Sequence, residues 1–87
     1  MEEVELIIDE RGTKRYYIKS TKIYHRDDGP AVENTNGTKI WFQYGKYHRL
    51  DGPAVEYTNG YKEYWINGKY IPNVNSIEEA IIKSLLE

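Results

Sequence analysis

The chain repeats one phrase. YHRDDGPAVENTNGTKIWFQYGK at positions 24–46 returns without a gap as YHRLDGPAVEYTNGYKEYWINGK at positions 47–69, a period of 23 residues. A fixed period of this length makes each copy one supersecondary unit, unable to bury its own apolar surface and stabilised by stacking on its neighbour. An eroded copy precedes these two, since Arg11–His25 aligns with Asn36–His48 once two additional residues are admitted near Lys19–Lys22. A partial copy ends at Lys69 and Tyr70.

Asn36-Gly37 and Asn59-Gly60 are strong hairpin signals, because a type I′ turn places both central residues at positive φ. Each predicts a turn between antiparallel strands, Ala31–Thr35 with Lys39–Tyr44 and Ala54–Thr58 with Lys62–Ile66. Arg11-Gly12 plays the same part between Val4–Asp9 and Lys14–Ile18. The predicted fold is mainly β: an antiparallel meander of about three repeated hairpins, about six strands, in a single-layer sheet. Between hairpins, Tyr44-Gly45-Lys46 and the HRxDGP stretch read as a shaped connector, where Gly before Pro favours extended backbone and a proline without a donor suits a strand entry. Asp28, Gly29 and Pro30, with Asp51, Gly52 and Pro53, are assigned to this structural turn, the aspartates capping it through their own side chains as in an Asx-turn.

After Tyr70 the period stops. Residues 71–75 read as a linker, and Ser76 with Glu79 forms a capping box that opens a helix over 76–87. Ile77, Ala80, Ile81, Leu85 and Leu86 fall at helical spacing, and a helix this short persists only by docking on the sheet. The chain is thus one domain, 1–87, with hairpin repeats over 4–70. Alternation along the strands predicts Trp41 and Tyr64 on one face with Val32 and Val55, and Phe42 and Trp65 on the other with Ala31 and Ala54. A helix of about ten residues spans about 15 Å, so it covers part of one face and leaves an aromatic surface exposed.

Composition narrows the function. The chain has no cysteine, so a disulfide framework and a thiolate metal site are excluded, and a reducing compartment fits. The two histidines occupy equivalent positions two strands apart, about 9.5 Å, which is too far to share a metal. No metal or cofactor is expected. A net charge of -2 argues against a dedicated nucleic-acid binder. The excess of Arg11, Lys14, Arg15, Lys19, Lys22 and Arg26 in the first third reads as a solvated edge hairpin. Met1-Glu2-Glu3 carries the wrong charge for a signal peptide and no apolar run suits a membrane span, so a soluble, cytoplasmic protein without a membrane partner is expected. A core this small gains stability from burial between subunits, and a two-fold homodimer is the default arrangement.

Gly45-Lys46-Tyr47-His48 and Asn67-Gly68-Lys69, with the glycine, strand, Asn-Gly and aromatic strand that follow at a period of 23, resemble a MORN-type repeat over roughly positions 4–70. A MORN repeat would carry glycine after the histidine, whereas here Arg26 and Arg49 stand there and HRxDGPA follows. This variant is similar to short hairpin-repeat proteins of bacteriophages and bacteria. The resemblance implies an open sheet built for binding rather than catalysis, and a viral accessory protein working in the host cytoplasm. The lipid-binding role proposed for MORN arrays is not carried over, because the chain lacks a strong basic face.

The chemically loaded groups that recur are His25-Arg26-x-Asp28 and His48-Arg49-x-Asp51. A ligand-binding reading makes His25, Arg26, His48 and Arg49 anion ligands, or the histidine a general base oriented by aspartate. The structural reading has aspartate capping the turn, histidine bonding a backbone carbonyl and arginine pairing with Glu33 or Glu56. Retention of the whole set in both copies favours the structural reading, since a site would need it once. No nucleophile elbow, P-loop or HExxH is present, and no enzyme is expected. Trp41, Phe42, Tyr44, Tyr64 and Trp65 form the candidate interface, because interfaces favour tyrosine and tryptophan. The expectation is a non-catalytic protein that binds a protein partner; with the phage resemblance, that partner is a host factor and the outcome is inhibition of a bacterial defence system. A small-molecule binder sequestering a nucleotide signal is the alternative, and a small phosphodiesterase a third reading.

Overall fold

In the computed structural model, the glycine-punctuated runs of the described residues fold into ten short strands and one helix. The structure describes Glu3–Leu86; Met1, Glu2 and Glu87, and with Glu87 the expected end of the helix, lie outside the described residues. The strands are β1 (Val4–Ile8), β2 (Lys14–Ile18), β3 (Ile23–Tyr24), β4 (Val32–Glu33), β5 (Lys39–Ile40), β6 (Phe42–Gln43), β7 (Lys46–Tyr47), β8 (Val55–Glu56), β9 (Lys62–Ile66) and β10 (Lys69–Ile71). The helix α1 spans Ile77–Leu85. Every pairing is antiparallel: the main sheet runs β1-β2-β4-β5-β8-β9-β10, β3 pairs with β2, and β6 and β7 form a separate ribbon. The protein is therefore mainly β, an antiparallel meander with one C-terminal helix. No helix among the described residues is long and apolar enough to cross a membrane.

The long runs fork. β2 pairs through Lys14 and Arg15 with β4, but through Tyr17 and Ile18 with β3. Tyr16 stands at the fork: its N–H donates to Ala31 O (2.8 Å), while its C=O accepts from His25 N–H (3.1 Å). Trp41 repeats this one copy later, donating to Ala54 O (2.8 Å) and accepting from His48 N–H (3.2 Å). Ala31 and Ala54 are fully buried, with Val32 and Val55 close behind. The HRxDGP stretch is the segment that carries the chain from one arm of each fork to the other.

The turns correct two sequence expectations through one cause. At Asn36-Gly37 and Asn59-Gly60 only the glycine has positive φ, +96° and +91°. Gly37 N donates to Asn34 O and Asn34 N to Thr38 O, the pattern of a turn closed by a glycine bulge rather than a two-residue type I′ turn. The bulge shifts the pairing by one residue, so Val32 lies opposite Ile40 and Val55 opposite Glu63. Val32 and Val55 consequently share the face of Phe42 and Trp65, and Trp41 and Tyr64 share the face of Ala31 and Ala54, the reverse of the expected assignment. The two-residue turns are Tyr44-Gly45 and Asn67-Gly68, where both residues have positive φ and Gln43 pairs with Lys46, Ile66 with Lys69. The connector expected at Tyr44-Gly45-Lys46 is thus itself a hairpin.

At the C-terminus Ser76 Oγ accepts from Glu79 N–H at 3.1 Å, opening α1 as its capping sequence predicts. Ile71 belongs to β10 rather than to the expected linker, and is 2% exposed. By the repeat period it stands where His48 stands one copy earlier, and Pro72 stands where Arg49 does. The helix that follows packs on β9 and β10 through a stripe centred on buried Ala80, and Lys83 Nζ donates to Pro72 O at 2.6 Å. Leu85 and Leu86, expected on the docking face, are exposed because the last turn runs beyond that stripe. The helix closes the repeat array in place of another HRxD copy.

Glycine substitution separates backbone strain from crowding. A Cβ at Gly37 meets Thr58 Cγ2 at 3.0 Å, whereas one at Gly60 meets nothing within 4 Å. Both Gly37→Ala and Gly60→Ala force a side chain into positive φ, at about 1–3 kcal/mol. Gly37→Ala is expected to lower the urea midpoint further than Gly60→Ala does.

Candidate functional site

The fork geometry places one arginine over one aromatic ring in each copy. Arg26 lies with its guanidinium 4.0 Å from the centroid of Tyr16, and Arg49 3.8 Å from that of Trp41, each ring belonging to the preceding copy. The guanidinium is then tied into its own copy. Arg26 donates through Nε to Asp28 (3.0 Å) and through one terminal nitrogen to Pro30 O (3.1 Å) and Glu33 (3.3 Å). Arg49 makes the same contacts to Asp51 (2.7 Å), Pro53 O (3.1 Å) and Glu56 (2.9 Å). Gly29 and Gly52 sit against these guanidiniums so closely that an added Cβ would fall 2.9 and 2.8 Å from the central carbon. The glycine of DGP is there because the arginine lies on it.

The aspartates therefore hold arginine and do not close the expected Asx turn. That role falls to Asp9, whose Oδ1 accepts from Arg11 and Thr13 N–H, and to Asn36 and Asn59, which accept from Thr38 and Tyr61 N–H. The Arg49 hydrogen bond holds Asp51 below the ordinary carboxylate range.

The histidines also depart from expectation, acting as acceptors from backbone N–H rather than donors to a carbonyl. His25 Nδ1 accepts from Tyr44 N–H at 3.0 Å and His48 Nδ1 from Asn67 N–H at 2.8 Å. Both partners open the two-residue turns at positive φ, a conformation costly for a bulky residue such as Tyr44. The histidine bond offsets part of that cost. With Nδ1 accepting, the proton of the neutral ring sits on Nε2, and in His25 this nitrogen faces Asp27 at 3.1 Å. Burial lowers the pKa of His48.

Arg26, Asp27, Asp28, Trp41, His48, Arg49 and Asp51 line a cleft of about 530 Å³ between the two HRxD loops. The four ligand-binding candidates are thus divided: His48, Arg26 and Arg49 reach this cleft, while His25 is buried behind Tyr44. Three carboxylates accompany the two arginines, so the cleft is no anion trap. Among the described residues no group of His, Asp and Glu is arranged to hold a metal, and no buried side-chain polar atom lacks a hydrogen bond.

The five candidate interface residues also separate. Trp41 lies beneath Arg49, Tyr64 on the same face, and Tyr44 at a turn tip with its ring 4.2 Å from His25. Phe42 and Trp65 lie on the opposite face, in a ladder of six rings: Tyr17, Tyr24, Phe42, Tyr47, Trp65 and Tyr70, with successive centroids 5.1, 5.1, 4.8, 4.6 and 5.4 Å apart. Tyr17, Tyr24, Tyr47 and Tyr70 were missed by sequence reasoning. Tyr24, Tyr47 and Tyr70 recur at the repeat period, and reading Tyr44-Gly45 as a two-residue hairpin would have set Tyr47 opposite Phe42. No protein-family model, curated protein or solved structure matches the chain.

Two measurements test the motif's structural role. Arg49→Lys keeps the charge but loses the Asp51 bond and the planar stack, and is expected to cost about 1–3 kcal/mol in urea unfolding. His48, with its pKa lowered below 6.5, contributes stability that is fully present above pH 6.5 and is lost as the pH falls through its folded value. The urea midpoint of the wild type is expected to drop on acidification in this window, and that of His48→Gln to drop less.

Proposed function

We propose that the protein is a non-catalytic binding protein that engages a protein partner through the face carrying the aromatic ladder. One observation carries this: six rings run in a row across the sheet and none is among the buried residues. α1 does not cover them, because it shares a cleft with Leu50 and Ile66, on the face of Tyr64. A continuous half-exposed aromatic surface of this kind is what protein partners bury. Within the HRxD groups the aspartates hold the arginines and each histidine Nδ1 holds a turn, which supports a binding rather than a catalytic reading.

The resemblance to phage hairpin repeats directs the proposal to a bacterial host protein in the cytoplasm, with inhibition of a defence component as its outcome. Affinity capture from host extract tests it. A specific partner should be retained by the wild type and by His48→Gln, and lost from Phe42→Ser and Tyr47→Ser. Retention by the ladder variants, or no specific partner at all, would overturn the reading. The small-molecule alternative rests on the cleft around Arg49 and His48. A shift in melting temperature with one of a panel of nucleotides, abolished in His48→Gln, would favour it.

Self-association is proposed through β1. Val4, Leu6, Ile7 and Ile8 are all exposed on this edge strand, which pairs on one side only. Glu3 O accepts from Lys19 N–H and Asp9 N–H donates to Thr13 O. The alternation turns the N–H and C=O of Val4, Leu6 and Ile8 to the open edge. Two-fold antiparallel pairing about Leu6 sets Val4 of one copy against Ile8 of the other. Sedimentation at micromolar concentration should give a dimer for the wild type and a monomer for Leu6→Pro, which removes a donor. A wild-type monomer would exclude the dimer and leave the protein partner in place.

A further inference from the structure

The two full copies differ at eight positions, and four of the differences converge on one corner. Asn34, Thr38, Ile40 and Phe42 of the first copy correspond, at the period of 23, to Tyr57, Tyr61, Glu63 and Trp65 of the second. Tyr61, Glu63 and Trp65 alternate onto one face. Tyr70 pairs opposite Trp65, its ring 5.4 Å away, and Tyr57 packs on Tyr61 at 5.5 Å. The hairpin does not need these residues. Gly37 N–H reaches Asn34 O at 3.0 Å and Gly60 N–H reaches Tyr57 O at 3.1 Å, so the first copy builds the same turn with Asn34 and Thr38. Three exposed tyrosines have instead been placed around one carboxylate, with Tyr57 40%, Tyr61 52% and Tyr70 42% exposed.

The charge at this corner is uncompensated. The ion pairs of the described residues engage Glu3, Asp9, Asp27, Asp28, Glu33, Asp51 and Glu56, but not Glu63. Glu63 Oε1 accepts from Trp65 Nε1–H at 2.9 Å, which orients the carboxylate among the rings without neutralising it. Its field reaches the neighbours: burial and then the Glu63 charge raise the pKa of Tyr57, and Tyr70 is raised first by its hydrogen bond with Tyr61. Elsewhere the molecule lays its own cations on half-buried rings, Arg26 on Tyr16, Arg49 on Trp41 and Lys22 on Tyr17. The Glu63 corner has the rings and the carboxylate, and no ion pair or cation–ring contact among the described residues fills it.

We propose that Tyr57, Tyr61, Trp65 and Tyr70 around Glu63 anchor the partner by receiving a cationic side chain, arginine or lysine, over the ring faces and beside the carboxylate. This rests on the protein-binding reading and names the chemistry at the interface.

The test is NMR titration of the ¹⁵N-labelled full chain with acetyl-Gly-Arg-Gly-amide, and with the same peptide carrying neutral citrulline. Saturable shifts are expected at the Trp65 indole N–H and at Tyr57, Tyr61 and Tyr70, with at least about tenfold weaker binding of the citrulline peptide. Glu63→Ile restores the residue at the equivalent position of the first copy, and should abolish the response while leaving the spectrum of a folded protein. Glu63→Gln serves the same comparison if Glu63→Ile fails to fold. Equal response to both peptides, a response that survives loss of the carboxylate, or no saturable shift at millimolar peptide would overturn the proposal. Partner capture lost in Phe42→Ser but not in Glu63→Ile would leave the protein-binding reading standing and remove the anchor.

Discussion

The arginine lying over the fork is the contact on which the repeat depends. A strand whose two ends pair with different neighbours opens a gap where the neighbours part, and in this chain Tyr16 and Trp41 stand at that gap. Arg26 and Arg49 close it by stacking on the ring of the preceding copy and bonding a carboxylate and a carbonyl of their own. One side chain thus performs the stacking that a short repeat cannot achieve with a core of its own. The guanidiniums are about one-fifth exposed, but Asp28 and Asp51 are 86% and 85% exposed, so solvent screens these pairs and the Coulombic part is modest. The planar group matters more: it covers the ring, donates to three acceptors of its own copy, and fits against a glycine with no Cβ.

Much of this was legible in the sequence. The period gave the unit, the Asn-Gly dipeptides marked real turns, the Ser76 cap placed the helix, and Glu33 and Glu56 were the acidic partners of the arginines. What failed was one residue of register. An Asn-Gly turn with two central residues sets Val32 opposite Trp41, whereas the glycine bulge sets Val32 opposite Ile40. Because side chains alternate with a period of two, that single residue exchanged the faces of every aromatic in the repeat. Local sequence does not separate the two turns, since asparagine suits both; the choice is made by the pairing of whole strands on either side. The second error, taking Tyr44-Gly45 for a connector, has a plainer origin. Tyrosine is a poor occupant of positive φ, and the support that makes it tolerable comes from His25, nineteen residues away.

The two copies also divide their labour. Among the positions that repeat without change, His, Arg, Asp, Gly, Pro, Ala and Val build the fork. A residue needed by every copy is needed by the fold, which is why the recurrence of HRxD argued for structure before any geometry was available. The C-terminal end supports this from the opposite direction. Ile71 fills the histidine position with an apolar side chain, Pro72 removes the arginine, and α1 takes over the covering of β9 and β10. Where α1 rather than another copy packs on β9 and β10, the motif is absent.

By the same logic, function is sought where the copies disagree. Of the eight differences between the copies, four fall on one face and at one corner, and these four change the surface in a single direction, from amide, hydroxyl, alkyl and phenyl groups to phenol, phenol, carboxylate and indole. Such a set has no counterpart in what the hairpin requires, because Asn34 and Thr38 close the same turn. Exposed tyrosines raise the risk of non-specific association, and a carboxylate among aromatic rings carries a desolvation cost. Both are unfavourable to the isolated chain and favourable to a complex in which a partner's cation sits over the rings. The corner is thus best explained by the state in which it is covered.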